Sequence, residues 1–424
     1  MHRLFSIFIL LFAATTASAQ EGTTIIHAGR VITEAGTPAR GAATIAVRDG
    51  RIVSIADGHV APTDGATLVD LSGHTVLPGL IEMHSHLGGD PGGDYRDEAV
   101  ETTEWSVILG IRNMATTARA GFTTVRVPGI GNDVGQALSR ATAEGRLPGP
   151  RILTSGHGLS IIGGHGDVSG FREDVLEVLD GHNTCTGPVE CAVRVREAGR
   201  RGSDFIKITA TGGVLSQQAR GLDQHFTDEE MRAIVTSAHS LGMHVAAHAH
   251  GPRGIEAAAR AGVDSIEHGT FADAAALRAM QENGTAFVPT LMAYTGIRER
   301  LGTGVYTPQV EAKIRETLSV VGQAARRAHA QGVTIVFGTD AGVFEHGRNA
   351  EELAMYVDLV GMTPTEVLRS ATVDAAELLG LENEIGRLAP GYSADLIAVT
   401  GDPQADIGAL GDVDYVMVRG RAIE

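Results

Sequence analysis

His84 and His86 stand one residue apart in "GLIEMHSHLGGD", after an apolar stretch and just before a glycine-rich turn. Side chains at i and i+2 of a β-strand leave the same face, so at a strand end the two imidazoles converge on one point, as a metal ion requires. An isolated H-x-H is weak evidence, and other residues must decide its meaning. Lys207 lies between Ile206 and Ile208 in "DFIKITATGG", which puts it on the opposite face from both. A lysine turned into a core must reach solvent, pair with a carboxylate or be chemically altered. His248 lies at the end of "HVAAHAH", His268 ends the strand part of "SIEHG", and Asp340 ends "VFGTD". Taken singly, each has a structural reading: a satisfied core histidine, a helix cap at Asp340, half of a buried ion pair at Lys207. Taken together, at successive strand ends, they argue for one site.

The elements that must position these residues follow from the texture of the chain. "TTIIHAGRVIT", "AATIAVRDGRIVSIADG" and "ATLVDLSGHTVLPG" are β-branched runs broken by Gly, Asp and Pro, with "RDGR" as a hairpin turn. From about Gly79 short apolar strands alternate with Ala-, Glu- and Arg-rich helical stretches, the pattern of repeated βα units. The strand candidates are "LIEMHSH", "TTVRVPG", "RILTSGH", "FIKITAT", "HVAAHAH", "SIEHG", "AFVPTL" and "TIVFGTD". Eight such units make an α/β fold of the (β/α)8 TIM-barrel type the economical solution, with its chemistry at the C-terminal strand ends. "IGRLAPGYSADLIAVTGDP" and "VDYVMVRGRAIE" return to β texture and are expected to pair with the first strands in one small composite β-sandwich domain. The expected organisation is an N-terminal contribution to the β-sandwich over 20–78, the barrel over 79–384 and a C-terminal contribution to the β-sandwich over 385–424.

The first residues, "MHRLFSIFILLFAATTASAQ", join a basic start at Arg3 to an apolar run and a small-residue A-x-A at Ala17 to Ala19. This reads as a signal peptide over 1–19, the apolar run being too short to span a bilayer, and implies an exported, periplasmic or secreted protein. With 424 residues and 43% hydrophobic content the chain can bury a large core. Lys plus Arg number 34 against 51 Asp plus Glu, a formal charge of −17, which argues against nucleic-acid binding. No later stretch is apolar enough for a membrane span. Cys185 and Cys191 in "GHNTCTGPVEC" lack a metal-finger pattern; they are either a small disulfide loop or two ordinary thiols.

The set "HSH", "FIKITATGGV", "HAHG", "IEHG" and "GTDAG" resembles, in order, the five metal-bearing positions of the amidohydrolase superfamily. The resemblance covers essentially the whole mature chain. It is greatest to the exported dipeptidases and amidases related to imidazolonepropionase: Xaa-Pro and Xaa-Arg/Lys dipeptidases and ochratoxin-hydrolysing amidohydrolases. "LPGPRILTSGHGLSIIGGHGD" and "GPVECAVRVREAGRRGSDFIKITATGGV" support that placement. The resemblance implies two divalent ions, zinc by default: His84, His86 and Asp340 on one, His248 and His268 on the other. Lys207, carboxylated on its neutral amine, would bridge them as a carbamate. A hydroxide shared by ions about 3.5–4 Å apart would attack the substrate, and Asp340 would pass its proton to the leaving amine. Cobalt, manganese or nickel remain open.

For the substrate, the resemblance implies a small-molecule amide or dipeptide that releases a C-terminal amino acid, ochratoxin A among them, by an enzyme that could assemble as a homo-oligomer. His165 in "GGHGD" would contact the scissile carbonyl; the alternative is a loop histidine bonded to backbone. Tyr294 could donate its hydroxyl to substrate or serve as an aromatic lid, and His250 could orient the pocket. Arg220, His225 and Arg348 are candidate partners for a terminal carboxylate. An imidazolonepropionase-like cyclic amide hydrolase, a deaminase or a lactonase is the competing reading, but a mononuclear enzyme has no need of Lys207. A catalytically dead binding protein would have lost at least one of the six ligands.

Overall fold

The computed structural model describes residues 22–424, save 63, 93–94 and 217–220, so the expected signal peptide and Arg220 lie outside the described residues. Its strands are β1 (Thr24–Val31), β2 (Ala43–Arg48), β3 (Arg51–Asp57), β4 (Thr67–Pro78), β5 (Leu80–Glu82), β6 (Phe122–Val127), β7 (Arg151–Thr154), β8 (Ile206–Thr209), β9 (Val245–Ala249), β10 (Ser265–His268), β11 (Ala286–Val288), β12 (Leu396–Val399), β13 (Val413–Val418) and β14 (Arg421–Ala422). Strands from both ends of the chain form one seven-stranded mixed sheet in the order β14-β13-β12-β4-β1-β2-β3. The β2–β3 connection is the two-residue turn Asp49-Gly50, with φ 51° and 74°. Positive φ at both centres gives the twist a tight hairpin needs. Ile26, Ile45, Ile52, Val76, Leu396 and Met417 fill the core of this sheet.

β4 continues through Gly79 into β5, and so carries the chain from the terminal sheet into the barrel. A Cβ at Gly79 would lie 2.1 Å from Thr123 Oγ1, so only glycine lets the chain pass there. The barrel strands are parallel, β5-β6-β7 in one run and β8-β9-β10-β11 in another. Leu159 joins the runs, donating its N–H to Lys207 O at 2.7 Å and accepting from Thr209 N at 3.0 Å. On the other side the expected eighth strand, "TIVFGTD", is irregular, with only a bridge from Ile335 to Phe287. It still lies between its neighbours: Phe287 N donates to Thr334 O at 2.8 Å, and Asp340 N to His84 O at 2.7 Å.

The strands are apolar along their length because helices cover the outer face while side chains fill the inner one. Helix Pro252–Ala261 shows the local logic, with Pro at its first turn and Gly262 at φ 90° closing its end. Cys185 and Cys191 are joined in a disulfide, so of the two readings of "CTGPVEC" the structure takes the bonded loop. Among the described residues no helix is long and apolar enough to cross a membrane.

Candidate metal centre

The C-terminal ends of the barrel strands gather four imidazoles, an amine and a carboxylate. Lys207 comes from β8, His248 from β9 and His268 from β10, and all three are buried. Lys207 and Ala246 are in register across β8 and β9, as are Thr209 and His248, so lysine and histidine occupy successive tiers of one face. His84 and His86 follow β5. Asp340 Oδ1 stands 3.2 Å from His86 Nε2 and 3.5 Å from His84 Nε2. Donor atoms of His84, His268 and Asp340 all lie within 4.8 Å of one another. The His248 ring is 4.7 Å from that of His268.

Two of these residues reach the centre only by leaving the ordinary strand conformation. His268 has φ 71° and Asp340 φ 65°, the left-handed region that costs a non-glycine residue roughly 1 kcal/mol or more. The turn re-aims each side chain inward. It explains how Glu267 and His268, adjacent in sequence, both serve the interior: Glu267 Oε2 accepts from His84 Nδ1 at 2.7 Å, while His268 Nδ1 is held by Thr290 Oγ1 at 2.7 Å.

Electrostatics set the protonation states. Burial, with the Lys207 charge, takes His84 down to about 4; burial and neighbouring cations take His165 and burial takes His250 to about 3. His248 and His268 fall well below their usual value for the same reason. Burial pushes the Asp340 carboxyl up, but His84 and His86 together hold it below its usual value. Burial takes the Lys207 ammonium down to about 8, against the pull of Glu267 and Asp340. Neutral imidazoles at His84, His248 and His268, an ionised carboxylate and an amine whose proton burial loosens are the donor states that divalent cations require. The residues therefore fit a metal centre.

The other expected site residues divide. His165 packs against His248, ring centroids 4.2 Å apart, with Nδ1 2.5 Å from Ser216 Oγ. His250 Nδ1 pairs with Thr270 Oγ1 at 2.6 Å, and Thr270 in turn with the Tyr294 hydroxyl, so His250 and the buried Tyr294 form one chain through a threonine. His225 lies beside Gly212, within the electrostatic reach of His165. Arg348 is a correction: its guanidinium is bonded to Glu299, Glu345 and Glu351, with Nε and both amino groups engaged, which leaves it no role as a substrate-carboxylate partner.

Residues outside the expected set support the centre. Arg126 Nη2 donates to Glu267 Oε1 at 2.7 Å, fully buried, so His84, Glu267 and Arg126 form a chain inside the barrel. Glu82 accepts the N–H groups of His84 and Thr339, each at 2.9 Å, which ties the segment before Asp340 to the segment of His84. Glu352 accepts the N–H groups of Leu291 and Met292 and so fixes the turn at Thr290 that holds His268. The signal for Arg126 and Glu267 is present in the sequence, since both are charges inside otherwise apolar strand runs, as Lys207 is.

Residues 75–423 match the model of the Amidohydrolase family. The chain is 32% identical over 419 residues to ochratoxinase of Aspergillus niger, covering 94% of this chain and 85% of that protein. It is 27% identical over 457 residues to imidazolonepropionase of Symbiobacterium thermophilum, covering 94% and 96%. Among solved structures, a Xaa-Pro dipeptidase with bound methionine in its active site superposes with a TM-score of 0.88 at 38% identity, over 95% of this chain and 99% of that one.

Proposed function

Since this chain belongs to the amidohydrolase family and is a hydrolase of amide or peptide bonds, we propose that it is an exported enzyme with two divalent ions that releases a C-terminal amino acid from an amide. The observation that carries the binuclear reading is Lys207, buried within electrostatic reach of His84, His248 and His268 and with no ion pair to a carboxylate among the described residues. An amine with a value near 8 has an appreciable neutral fraction at neutral pH, able to add carbon dioxide as N–H is replaced by N–COO⁻ and a proton leaves. The product replaces a buried cation with an anion bearing two oxygen donors. His84, His86 and Asp340 would hold one ion, His248 and His268 the other, with zinc suited to such donors.

When bound, such ions supply a water acidic enough to attack near neutral pH and polarise the substrate carbonyl. The chain's own residues do the rest. Asp340, ionised and anchored through its backbone N–H to His84 O, accepts the proton of the attacking water at Oδ and returns it to the leaving nitrogen. His165 donates to the carbonyl oxygen. The Ser216 hydroxyl, bonding at Nδ1, favours the tautomer that leaves the proton on Nε2 for that task. Thr270 fixes His250 in the same way from behind.

Two relatives support the substrate class: the likeness to an ochratoxinase and to a Xaa-Pro dipeptidase, whose active site holds the free amino acid methionine. Export rests on the leader-like first residues and agrees with the Cys185–Cys191 disulfide. The deciding experiment is a screen of the zinc-loaded enzyme against dipeptides, N-acyl amino acids, ochratoxin A, lactones and cyclic amidines, with metal content measured alongside. The reading stands if free amino acid appears from substrates with an open α-carboxylate and about two ions are held per chain. It fails if only lactones or cyclic amidines are consumed. Lys207→Ala should lose the second ion and nearly all turnover; full activity at unchanged metal content would show that no carbamate is needed.

A further inference from the structure

The helix Pro308–Leu318 brings Lys313 over the loop that follows β8. Its Nζ donates to Gly213 O at 2.8 Å and to Ser216 O at 2.7 Å. The same loop touches the centre at three points. Gly212 O lies 3.3 Å from His248 Nε2, and Ser216 Oγ 2.5 Å from His165 Nδ1. Gly213 packs against the His165 ring so closely that a Cβ there would fall 2.3 Å from it. Lys313 is thus one loop away from the residues that would meet a scissile carbonyl.

The charge of Lys313 is not answered locally. Among the described residues no carboxylate pairs with it, and two of its three N–H groups are used by neutral carbonyls. It is half-buried, and burial takes it down to about 8. Its charge is felt at His250. A partly desolvated cation without a counter-charge is unfavourable unless a ligand brings one. Arg348, by contrast, already has three carboxylates around it.

We propose that Lys313 binds the α-carboxylate of the substrate, its two backbone bonds fixing the ammonium and its third N–H donating to a carboxylate oxygen. This rests on the reading of the enzyme as a hydrolase that releases a C-terminal amino acid. It also couples recognition to chemistry, because the carbonyls that hold Lys313 belong to the loop that holds His165. A substrate with an open carboxylate would then stiffen the loop that aligns its own scissile bond.

The test compares N-acetyl-L-phenylalanine with its carboxamide, and the corresponding proline and methionine pairs, on the zinc-loaded full chain. In Lys313→Met the preference in kcat/KM for the free acid over the carboxamide should fall ~10- to 100-fold, chiefly through KM, as expected for loss of one charge-assisted bond. Lys313→Arg should keep part of the preference. Lys313→Gln keeps an N–H donor for the loop without the charge, and decides the matter if the methionine variant does not fold. Equal slowing of acid and carboxamide, with the preference intact, would reduce Lys313 to a loop clamp and overturn the proposal. Calorimetry with L-phenylalanine, L-proline and L-methionine separates this from the parent reading: binding that weakens in Lys313→Gln supports the carboxylate site even if no amide is hydrolysed. Failure of the native enzyme to bind any of the three, or equal binding by the variant, would also overturn it.

Discussion

Asp264 and Glu267 stand three residues apart on one strand segment, and each is a carboxylate bonded to histidine. Glu267 is at 0% exposure, between His84 and Arg126 at 1% and 3%. Asp264 sits at the other end of the barrel, where it accepts from His239 Nε2 at 2.9 Å, His244 Nδ1 at 3.2 Å and Val245 N at 2.7 Å. His239 and His244 are 44% and 40% exposed. The same pair chemistry therefore has different consequences. At the outer rim water can replace each bond, so Asp264 contributes stability. Inside the barrel nothing replaces them, and the carboxylate fixes which nitrogen of His84 faces Asp340 and the candidate metal centre.

The sharpest way to break this comparison is Glu267→Gln. It keeps the shape but leaves the Arg126 guanidinium buried without its counter-charge, a loss of about 3–5 kcal/mol in unfolding free energy. Metal affinity should fall about 10- to 100-fold as His84 loses its partner. Denaturant unfolding and metal titration check the two effects. A variant as stable and as metal-replete as the native chain would mean that the interior pair is no more than a surface pair displaced inward.

Thr290→Val asks whether a neutral partner acts like Glu267. Valine keeps the buried volume and removes only the hydroxyl that bonds His268 Nδ1. We expect metal affinity to drop by roughly 10-fold, at the lower end of losses for such supporting partners, with about 1–2 kcal/mol of stability lost through the unpaired ring nitrogen. Unchanged affinity would show that His268 is oriented by its backbone turn alone.

These contrasts also explain which features are legible in the sequence. The alternation of strand and helix texture, the Asp49-Gly50 hairpin and the inward lysine all follow from local rules of period and turn chemistry. Alternation fails where the chain is locally strained: it puts Glu267 and His268 on opposite faces, and the left-handed turn at His268 brings both to the interior. The eighth strand reads as regular from "TIVFGTD", but its ladder is reduced to a bridge from Ile335 to Phe287, because its pairing depends on how the distant neighbouring strands approach it. Arg348 looks available because a sequence does not display Glu299, nearly fifty positions away, as its neighbour. Lys313 carries no motif at all; its meaning comes from two backbone carbonyls a hundred residues earlier.

The smallest effect belongs to the outer pair, where sign and pH window can be worked out. Burial pushes the Asp264 carboxyl up, but hydrogen bonds from His244, His239 and Val245 N outweigh it and leave it below the ordinary value of 3.8. A carboxyl with a depressed folded value binds fewer protons folded than unfolded, so stability rises with pH through that window. Its contribution is complete above pH 3.8, the unfolded value, and disappears as pH falls through the lower folded one. Asp264→Asn keeps an acceptor for Val245 N and removes the charge. It should cost about 1 kcal/mol near neutral pH, shrinking towards zero in strong acid, while metal content and turnover stay at native values. Urea unfolding at neutral and at strongly acid pH measures the difference. A loss that persists in acid would assign the effect to packing, and a loss of metal would show that the two ends of the barrel are coupled through the Asp264–Glu267 segment.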